Sequence, residues 1–329
     1  MTPWNHSKNQ PMPRVAVIGT GTMGSAMALR LLDAGMEVSI WSRHAASTMP
    51  LVDHGATAYE KPTDAVLDAD VVITMLPTAK ATADVMLDDG ALLAMTRSSI
   101  WVQMATIGVE TTKRLVTQTR IRRPGVTFVD APVSGSRGPA EQGQLLILAS
   151  GPQRAAQPLE PVFAQLGRAT LWLGPAGAGS AMKLVLNAWL AFQAEGAAES
   201  AALAERMGVP SKALLDALRD NPLASPYALA KLSKMEEQDY HADFALDWAL
   251  KDLDLVAVEA GRGVAPVASA IADRWRTLVN GGFSGLDVSA ARNGLGQGEL
   301  GRPDDGWPDW VTDVWASDNL ASTPALRID

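Results

Sequence analysis

The chain contains no cysteine in 329 residues. That excludes disulfides, a thiol nucleophile, thiolate-bound zinc and iron–sulfur clusters, and it leaves thiol usage silent about the redox compartment. Histidine is scarce as well. His6, His44, His54 and His241 lack the spacing of metal ligands, so no metal is expected. Positive charge is in the minority, with 28 Lys plus Arg against 36 Asp plus Glu and a net charge of −8. Polyphosphate backbones require clustered cations, so nucleic acid is not an expected partner. Long apolar runs are missing too. No segment reaches the roughly 18 apolar residues of a membrane-spanning helix, and the opening MTPWNHSKNQPM is polar, so no membrane contact is expected and a cytoplasmic protein is the default.

What is present is a folded composition, 47% hydrophobic and 19% charged, in a length that suits two domains. From Arg14 to about Trp172, β-branched runs alternate with amphipathic stretches, the pattern of a parallel sheet covered by helices. The expected strands are Val15 to Gly19, Glu37 to Trp41, Val71 to Leu76, Ser99 to Met104, Thr127 to Ala131 and Leu145 to Ser150. Beyond them the composition changes. Between Ala176 and Ala204, 11 of 29 residues are alanine, which predicts one long helix over Gly179 to Met207, stopped by Gly208. Helical spacing continues through Lys212 to Asp220, Tyr227 to Lys234, Leu246 to Gly261 and Val267 to Leu278.

The expected organisation follows. Residues 1–12 form a disordered tail, 13–176 an α/β domain with a parallel-rich sheet, and 177–293 the long interdomain helix plus an all-α domain. Residues 294–329 form an extension whose Trp307, Trp310 and Trp315 are expected to pack on their own subunit or a partner.

Directly after the first strand comes Gly19-Thr20-Gly21-Thr22-Met23-Gly24, followed by a helical run. In a strand–turn–helix setting this spacing makes a dinucleotide site and marks residues 13–176 as a Rossmann domain, because glycines permit the tight turn, the approach of a pyrophosphate and close helix–strand packing. The helix start offers free N–H groups to the phosphates. At the end of the second strand stands Trp41-Ser42-Arg43-His44. No acid is there to bind a ribose 2′-hydroxyl, and a cation beside a hydroxyl suits a 2′-phosphate, so NADPH is the expected cofactor. An ordinary exposed loop arginine is the plainer alternative.

Two further segments carry polar chemistry. Ser134-Gly135-Ser136 is a small-residue loop with two hydroxyls and free backbone N–H groups, suited to a carboxylate or simply a turn. Lys183 and Asn187 stand four apart on one face of an Ala/Leu-rich helix, isolated from its other polar residues. Taken alone, a solvated pair is the better reading.

Taken together, GTGTMGSAMA, Leu76-Pro77, APVSG, Gly177-x-Gly179-x-x-x-Lys183-x-x-x-Asn187 and Lys251-Asp252 occur in the order that resembles the β-hydroxyacid dehydrogenase family, from about Arg14 to about Asn293. The SGS-x-x-PAE-x-GQL-x-ILA segment and Phe244 look most like its glyoxylate and succinic semialdehyde reductases. That resemblance implies hydride transfer from NADPH to a short aldehyde acid, with Lys183 as proton donor. It also implies that Ser134, Gly135 and Ser136 hold the carboxylate and that Asn187 positions the substrate. Thr106 borders nicotinamide and substrate, while Phe244, Lys251 and Asp252 close the site from the second domain. By the same resemblance Leu76, Pro77 and Lys251 line the cofactor. Trp248, one turn before Asp252, falls near the expected pocket, with helix-face core as its other reading.

The chain departs from the family where Gln103-Met104-Ala105-Thr106 replaces Asp-x-Ser-Thr, which puts the exact substrate in question. Imine reductases share the implied fold but usually carry Asp or Tyr where Lys183 stands. A 3-hydroxyisobutyrate-type dehydrogenase and a non-catalytic dinucleotide-binding module are the other readings. A homo-oligomer joined through the α-helical domain is implied as well.

Overall fold

The computed structural model describes residues 12–261 and 263–295. All of the expected N-terminal tail but Met12, and the extension beyond Leu295 with its three tryptophans, lie outside the described residues.

Six strands form one fully parallel sheet: β1 (Val15–Ile18), β2 (Val38–Trp41), β3 (Thr57–Ala58), β4 (Val71–Thr74), β5 (Ile100–Gln103) and β6 (Thr127–Asp130). Their order is β3-β2-β1-β4-β5-β6, with the reversal between β1 and β4 that defines a doubly wound dinucleotide fold. Both faces are buried, as the unbroken β-branched runs demand. Val17, Ile73 and Val102 join one core cluster, and Ile18, Val72 and Trp101 the other. The helices that cover the sheet are α1 (Thr22–Asp33), α2 (Met49–Asp53), α3 (Pro62–Val66), α4 (Ala79–Ala83), α5 (Ala91–Ala94), α6 (Val109–Arg122), α7 (Arg137–Glu141) and α8 (Ala156–Leu166).

The expected strand at Leu145 to Ser150 is present but does not extend the main sheet. It forms β8 (Leu145–Ala149) of a second, three-stranded sheet between β7 (Val133–Ser134) and β9 (Gly167–Trp172). β7 runs antiparallel to β8, whereas β9 is parallel to it. The chain leaves the main sheet at Pro132, which has no N–H to carry a ladder onward. An isolated bridge between Asp130 and Ser150 ties the two sheets together.

The long helix is α9 (Ala178–Arg206), 29 residues and about 43 Å at ~1.5 Å per residue. It runs from the Rossmann sheet into a helical body made with α10 (Ser211–Leu218), α11 (Pro226–Glu236), α12 (Leu246–Ala260) and α13 (Pro266–Leu278). Alanines 191, 194, 198 and 201 are buried along one face of α9, so neighbouring helices pack closely. Two sets of bonds around buried charged groups fix this body. Glu195 bonds Arg274 and Trp275 Nε1, the latter at 2.7 Å, and Lys231 pairs with Asp287 at 2.8 Å. Among the described residues no helix is long and apolar enough to cross a membrane.

Candidate functional site

The dinucleotide loop is shaped by close approach. Gly19 has φ +102°, and a Cβ there would lie 2.5 Å from the Met75 carbonyl oxygen. A Cβ on Gly24 would stand 1.9 Å from the Gly19 carbonyl oxygen, so helix and loop meet only because position 24 is bare. At Gly21 the opposite holds: nothing lies within 4 Å of where a Cβ would be, which leaves the backbone open to a ligand. These three positions fit a dinucleotide pyrophosphate at the start of α1. Leu76 closes against Gly19, whereas Pro77 is exposed beside it. Thr22 and Met23 form the first residues of α1.

The loop after β2 adds hydroxyls. Thr20, which is buried, lies 2.7 Å from Ser47, and Ser47 donates to Ser42 at 2.9 Å. Arg43 and His44 are exposed, and among the described residues the Arg43 guanidinium has no hydrogen bond or ion pair. A free cation beside linked hydroxyls can receive a phosphate. Ser47 was not among the residues singled out from sequence, and nothing in its neighbours' pattern marks it.

A second cluster forms where the Rossmann domain meets α9 and α12. Lys251 Nζ donates to the Thr106 carbonyl at 2.7 Å, lies 2.8 Å from Asp252 Oδ1 and stands 6.0 Å from the centre of the Trp248 ring. The contact with Asp252 Oδ1 lacks hydrogen-bond geometry, so that buried oxygen retains an open acceptor site. Asp252 Oδ2 accepts a short hydrogen bond from Asn187 Nδ2, and both residues are buried. Lys183 stands one turn before Asn187 and makes no hydrogen bond or ion pair among the described residues. Part of its surface remains accessible, yet its charged end is densely surrounded. Burial lowers the Lys183 pKa from its usual 10.5; the Asp252 charge works against this and the Lys251 charge with it.

Thr106, Lys183, Asn187, Trp248, Lys251 and Asp252 are thus gathered by bonds or charge. No direct bond among the described residues joins Ser134, Gly135, Ser136 or Phe244 to them. Ser134 and Ser136 are partly exposed, with no hydroxyl partner among the described residues, and flank Gly135 at φ +133°. Phe244 precedes α12, and its N–H is held by Asp287 at 3.2 Å. Trp248 is 42% exposed, so it is not helix-face core.

Sequence reading left Gln103 as a bare departure, but its amide carries the loop that holds Thr106. Its Oε1 accepts from Thr74 Oγ1 at 3.0 Å and from Ala105 N at 3.3 Å, and its Nε2 bonds the Ala105 carbonyl. Trp101 Nε1 completes the network on Thr74. Asp130 and Glu259 also went unassigned. Glu259 Oε1, in α12, accepts the Glu110 N–H at 2.9 Å near the start of α6 and so joins the two domains. A carboxylate ending an apolar strand, as in TFVDA, was the signal available for Asp130. A cavity of about 660 Å³ lies elsewhere, between α9, α10, α11 and residues 292–295, and none of the site residues lines it.

Comparison with known proteins gives two adjoining matches. Residues 14–174 match the NAD binding domain of 6-phosphogluconate dehydrogenase, and 177–294 match the NAD-binding family of NADP-dependent 3-hydroxyisobutyrate dehydrogenase. Glyoxylate/succinic semialdehyde reductase 1 of Arabidopsis thaliana is 32% identical over 279 residues, covering 84% of this chain and 96% of that protein. The NAD-dependent L-serine dehydrogenase of Pseudomonas aeruginosa is 31% identical over 291 residues, 85% of this chain and 97% of that one. Among solved structures, 3-hydroxyisobutyrate dehydrogenase of Mycobacterium tuberculosis with L-serine superposes with a TM-score of 0.78 at 27% identity, covering 86% of this chain and 98% of that one.

Proposed function

Because the chain belongs to the β-hydroxyacid dehydrogenase family and is an NAD(P)-dependent oxidoreductase, we propose that it reduces a short aldehyde acid, of the glyoxylate or succinic semialdehyde kind, with NADPH as the electron donor and Lys183 as the proton donor. The observation that carries this reading is Lys183 itself, a lysine without a bonded partner among the described residues, beside Asn187, Asp252 and Lys251.

Gly19, Thr20, Gly21, Thr22, Met23 and Gly24 would hold the pyrophosphate, and Ser42, Arg43 and His44 the 2′-phosphate, with Leu76, Pro77, Thr106 and Lys251 along the rest of the cofactor. When bound, its nicotinamide supplies the hydride. The chain's own task is the proton. Addition to a carbonyl leaves negative charge on oxygen, and an ammonium within hydrogen-bond reach neutralises it as it develops. The depressed pKa of Lys183 makes that transfer easier than from an ordinary lysine. Asn187, fixed by Asp252, would orient the substrate, while the free hydroxyls of Ser134 and Ser136 with the Gly135 backbone would take its carboxylate. Phe244 and Trp248 would wall the pocket.

The test is a panel followed by NADPH oxidation: glyoxylate, succinic semialdehyde and cyclic imines. Turnover of the aldehyde acids and not the imines is expected, since lysine suits carbonyl oxygen. The likeness to an L-serine dehydrogenase favours a second reading, an oxidative enzyme for 3-hydroxy acids. Faster NADP reduction by L-serine or 3-hydroxyisobutyrate than NADPH oxidation by any aldehyde acid would establish that reading instead. Cofactor binding without turnover of any of these would leave the dinucleotide-binding module.

The proposal extends to assembly. Val185 and Trp189 are 63% and 59% exposed on α9, an apolar face of the sort that a second copy of the chain covers. Light scattering should therefore give an oligomer, and a monomer at assay concentration would remove this part.

A further inference from the structure

Several buried polar residues outside the proposed reacting set converge on a single turn. Asp130, at the end of β6, has no exposed surface. Its Oδ2 accepts from Gly177 N at 3.1 Å, Ser180 N at 2.9 Å and Ser150 Oγ at 3.0 Å, and its Oδ1 accepts from Ser180 Oγ at 2.7 Å. Ser150, next to the end of β8, also accepts the Gly179 N–H at 2.9 Å. Thr112 of α6 brings its hydroxyl within 3.1 Å of Ser180 Oγ. Three separate parts of the Rossmann domain therefore grip the first turn of α9. The grip is also steric, since a Cβ on Gly179 would stand 2.1 Å from the Leu148 carbonyl oxygen.

An exposed side chain at the helix start can cap it without burying a charge. Here the acceptor comes from a strand 47 residues before Gly177, and burial raises its pKa against the pull of its donors. A buried carboxylate is costly unless its bonds are met, and each of these bonds has a fixed direction. The arrangement specifies where α9 begins on the sheet to within bond-length tolerance. Lys183 lies three residues beyond Ser180, less than one turn along the same helix.

We propose that Asp130 is the positioning residue for Lys183: its carboxylate sets the place of the first turn of α9 against β6 and β8, and thereby the point at which the lysine meets the reacting oxygen. This rests on the reading of Lys183 as proton donor. A displacement of about 1 Å at a reacting group costs on the order of 100-fold in rate, so small shifts of this turn should register in kcat.

The experiment compares full-length Asp130→Asn, Ser180→Ala, Gly179→Ala and Lys183→Ala with wild type, using NADPH and whichever of glyoxylate and succinic semialdehyde wild type reduces faster. NADPH binding stoichiometry counts the folded sites, and NADPH deuterated at the transferred position reports how far chemistry limits turnover. Asp130→Asn should lower kcat per binding site by at least about tenfold, with KM and NADPH affinity within about threefold, and should raise the isotope effect on kcat. Gly179→Ala, which moves the turn while keeping the Asp130 carboxylate, should reproduce that pattern, and Ser180→Ala should show it more weakly. Wild-type kcat in Asp130→Asn, or parallel losses of kcat and NADPH affinity with an unchanged isotope effect, would overturn the assignment. Should Asp130→Asn not fold, Gly179→Ala and Ser180→Ala decide by the same criteria. If Lys183→Ala keeps its activity, the proton-donor reading falls and this one with it. If Lys183→Ala is inactive and the other variants turn over normally, the positioning role alone is lost.

Discussion

The loop after β2 and the seam between the domains are built on opposite plans. In the loop, Arg43 and His44 stand in solvent, and among the described residues the nearby hydroxyls of Thr20, Ser42 and Ser47 are linked only to one another and to backbone. At the seam the polar groups are buried and bonded: Asp130 on α9, Gln103 on its own loop, Asp252 on Asn187. Lys183 and the Oδ1 of Asp252 are the exceptions there, without a hydrogen bond among the described residues. An exposed cation contributes affinity for a ligand, whereas a buried bonded group fixes geometry. Substitutions in the loop should therefore act on cofactor affinity and those at the seam on the chemical step.

That contrast can be broken most sharply at Lys183. Lys183→Ala is expected to lower kcat by about 10²- to 10⁴-fold, the usual range for a general acid, while NADPH affinity stays within threefold; steady-state rates and fluorescence titration measure both, and a variant near wild-type rate ends the distinction. Next is a buried pair in the α-helical body. Lys231→Met strands Asp287, which has no exposed surface, and should destabilise the α-helical body by about 3–5 kcal/mol in urea unfolding. The sign with pH follows from Asp287. Burial raises its pKa, but Lys231 and the N–H groups of Ser289 and Phe244 more than reverse this, leaving it below 3.8. Its contribution is thus complete above the unfolded value and lost as pH falls through the folded one, so the variant and wild type should converge in strong acid.

On the loop side, Arg43→Ala should weaken NADPH about tenfold, roughly 1.4 kcal/mol, and leave NADH affinity and kcat at saturation unchanged. Equal NADPH and NADH affinities in wild type would remove the basis for it. The smallest effect expected is on the pH profile. The donor must carry its proton, so reductase kcat should decline as pH rises through the depressed pKa of Lys183. Removing the positive charge in Lys251→Met should move that decline to higher pH. Removing the negative charge in Asp252→Asn should move it lower. Shifts in the same direction would show that the two act through structure and not through charge.

How much of this was legible beforehand divides along the same line. The six main runs are strands, with ends moved by a residue or two, and the Ala-rich helix expected over Gly179 to Met207 spans Ala178–Arg206. Those features are written in local periodicity and composition. β3 and β7 have only two residues each, and β9 carries Gly167 and Arg168 on a half-exposed edge, so no periodic signal marks them. The dinucleotide loop was readable because its constraint is steric and local. The bonds of Asp130 to Ser180, of Lys231 to Asp287 and of Glu195 to Arg274 join residues 50, 56 and 79 apart, and a distance along the chain says nothing of which acid meets which donor. Gln103 illustrates the same limit, since its departure from the family pattern was visible while the Ala105 peptide it clasps was not.

The length of α9 gives the domain seam a mechanical meaning. Taking Ser180 as fulcrum, Lys183 lies ~4.5 Å along the axis and Arg206 ~39 Å at about 1.5 Å per residue. A small swing of the α-helical body about that point moves the far end of the rod some nine times farther than the lysine, by the ratio of those lever arms. The lysine's place is therefore set by the seating of the first turn of α9 and hardly at all by the far end of the rod. Lys183 so keeps its register on the Rossmann sheet whatever the packing of the last turns of α9.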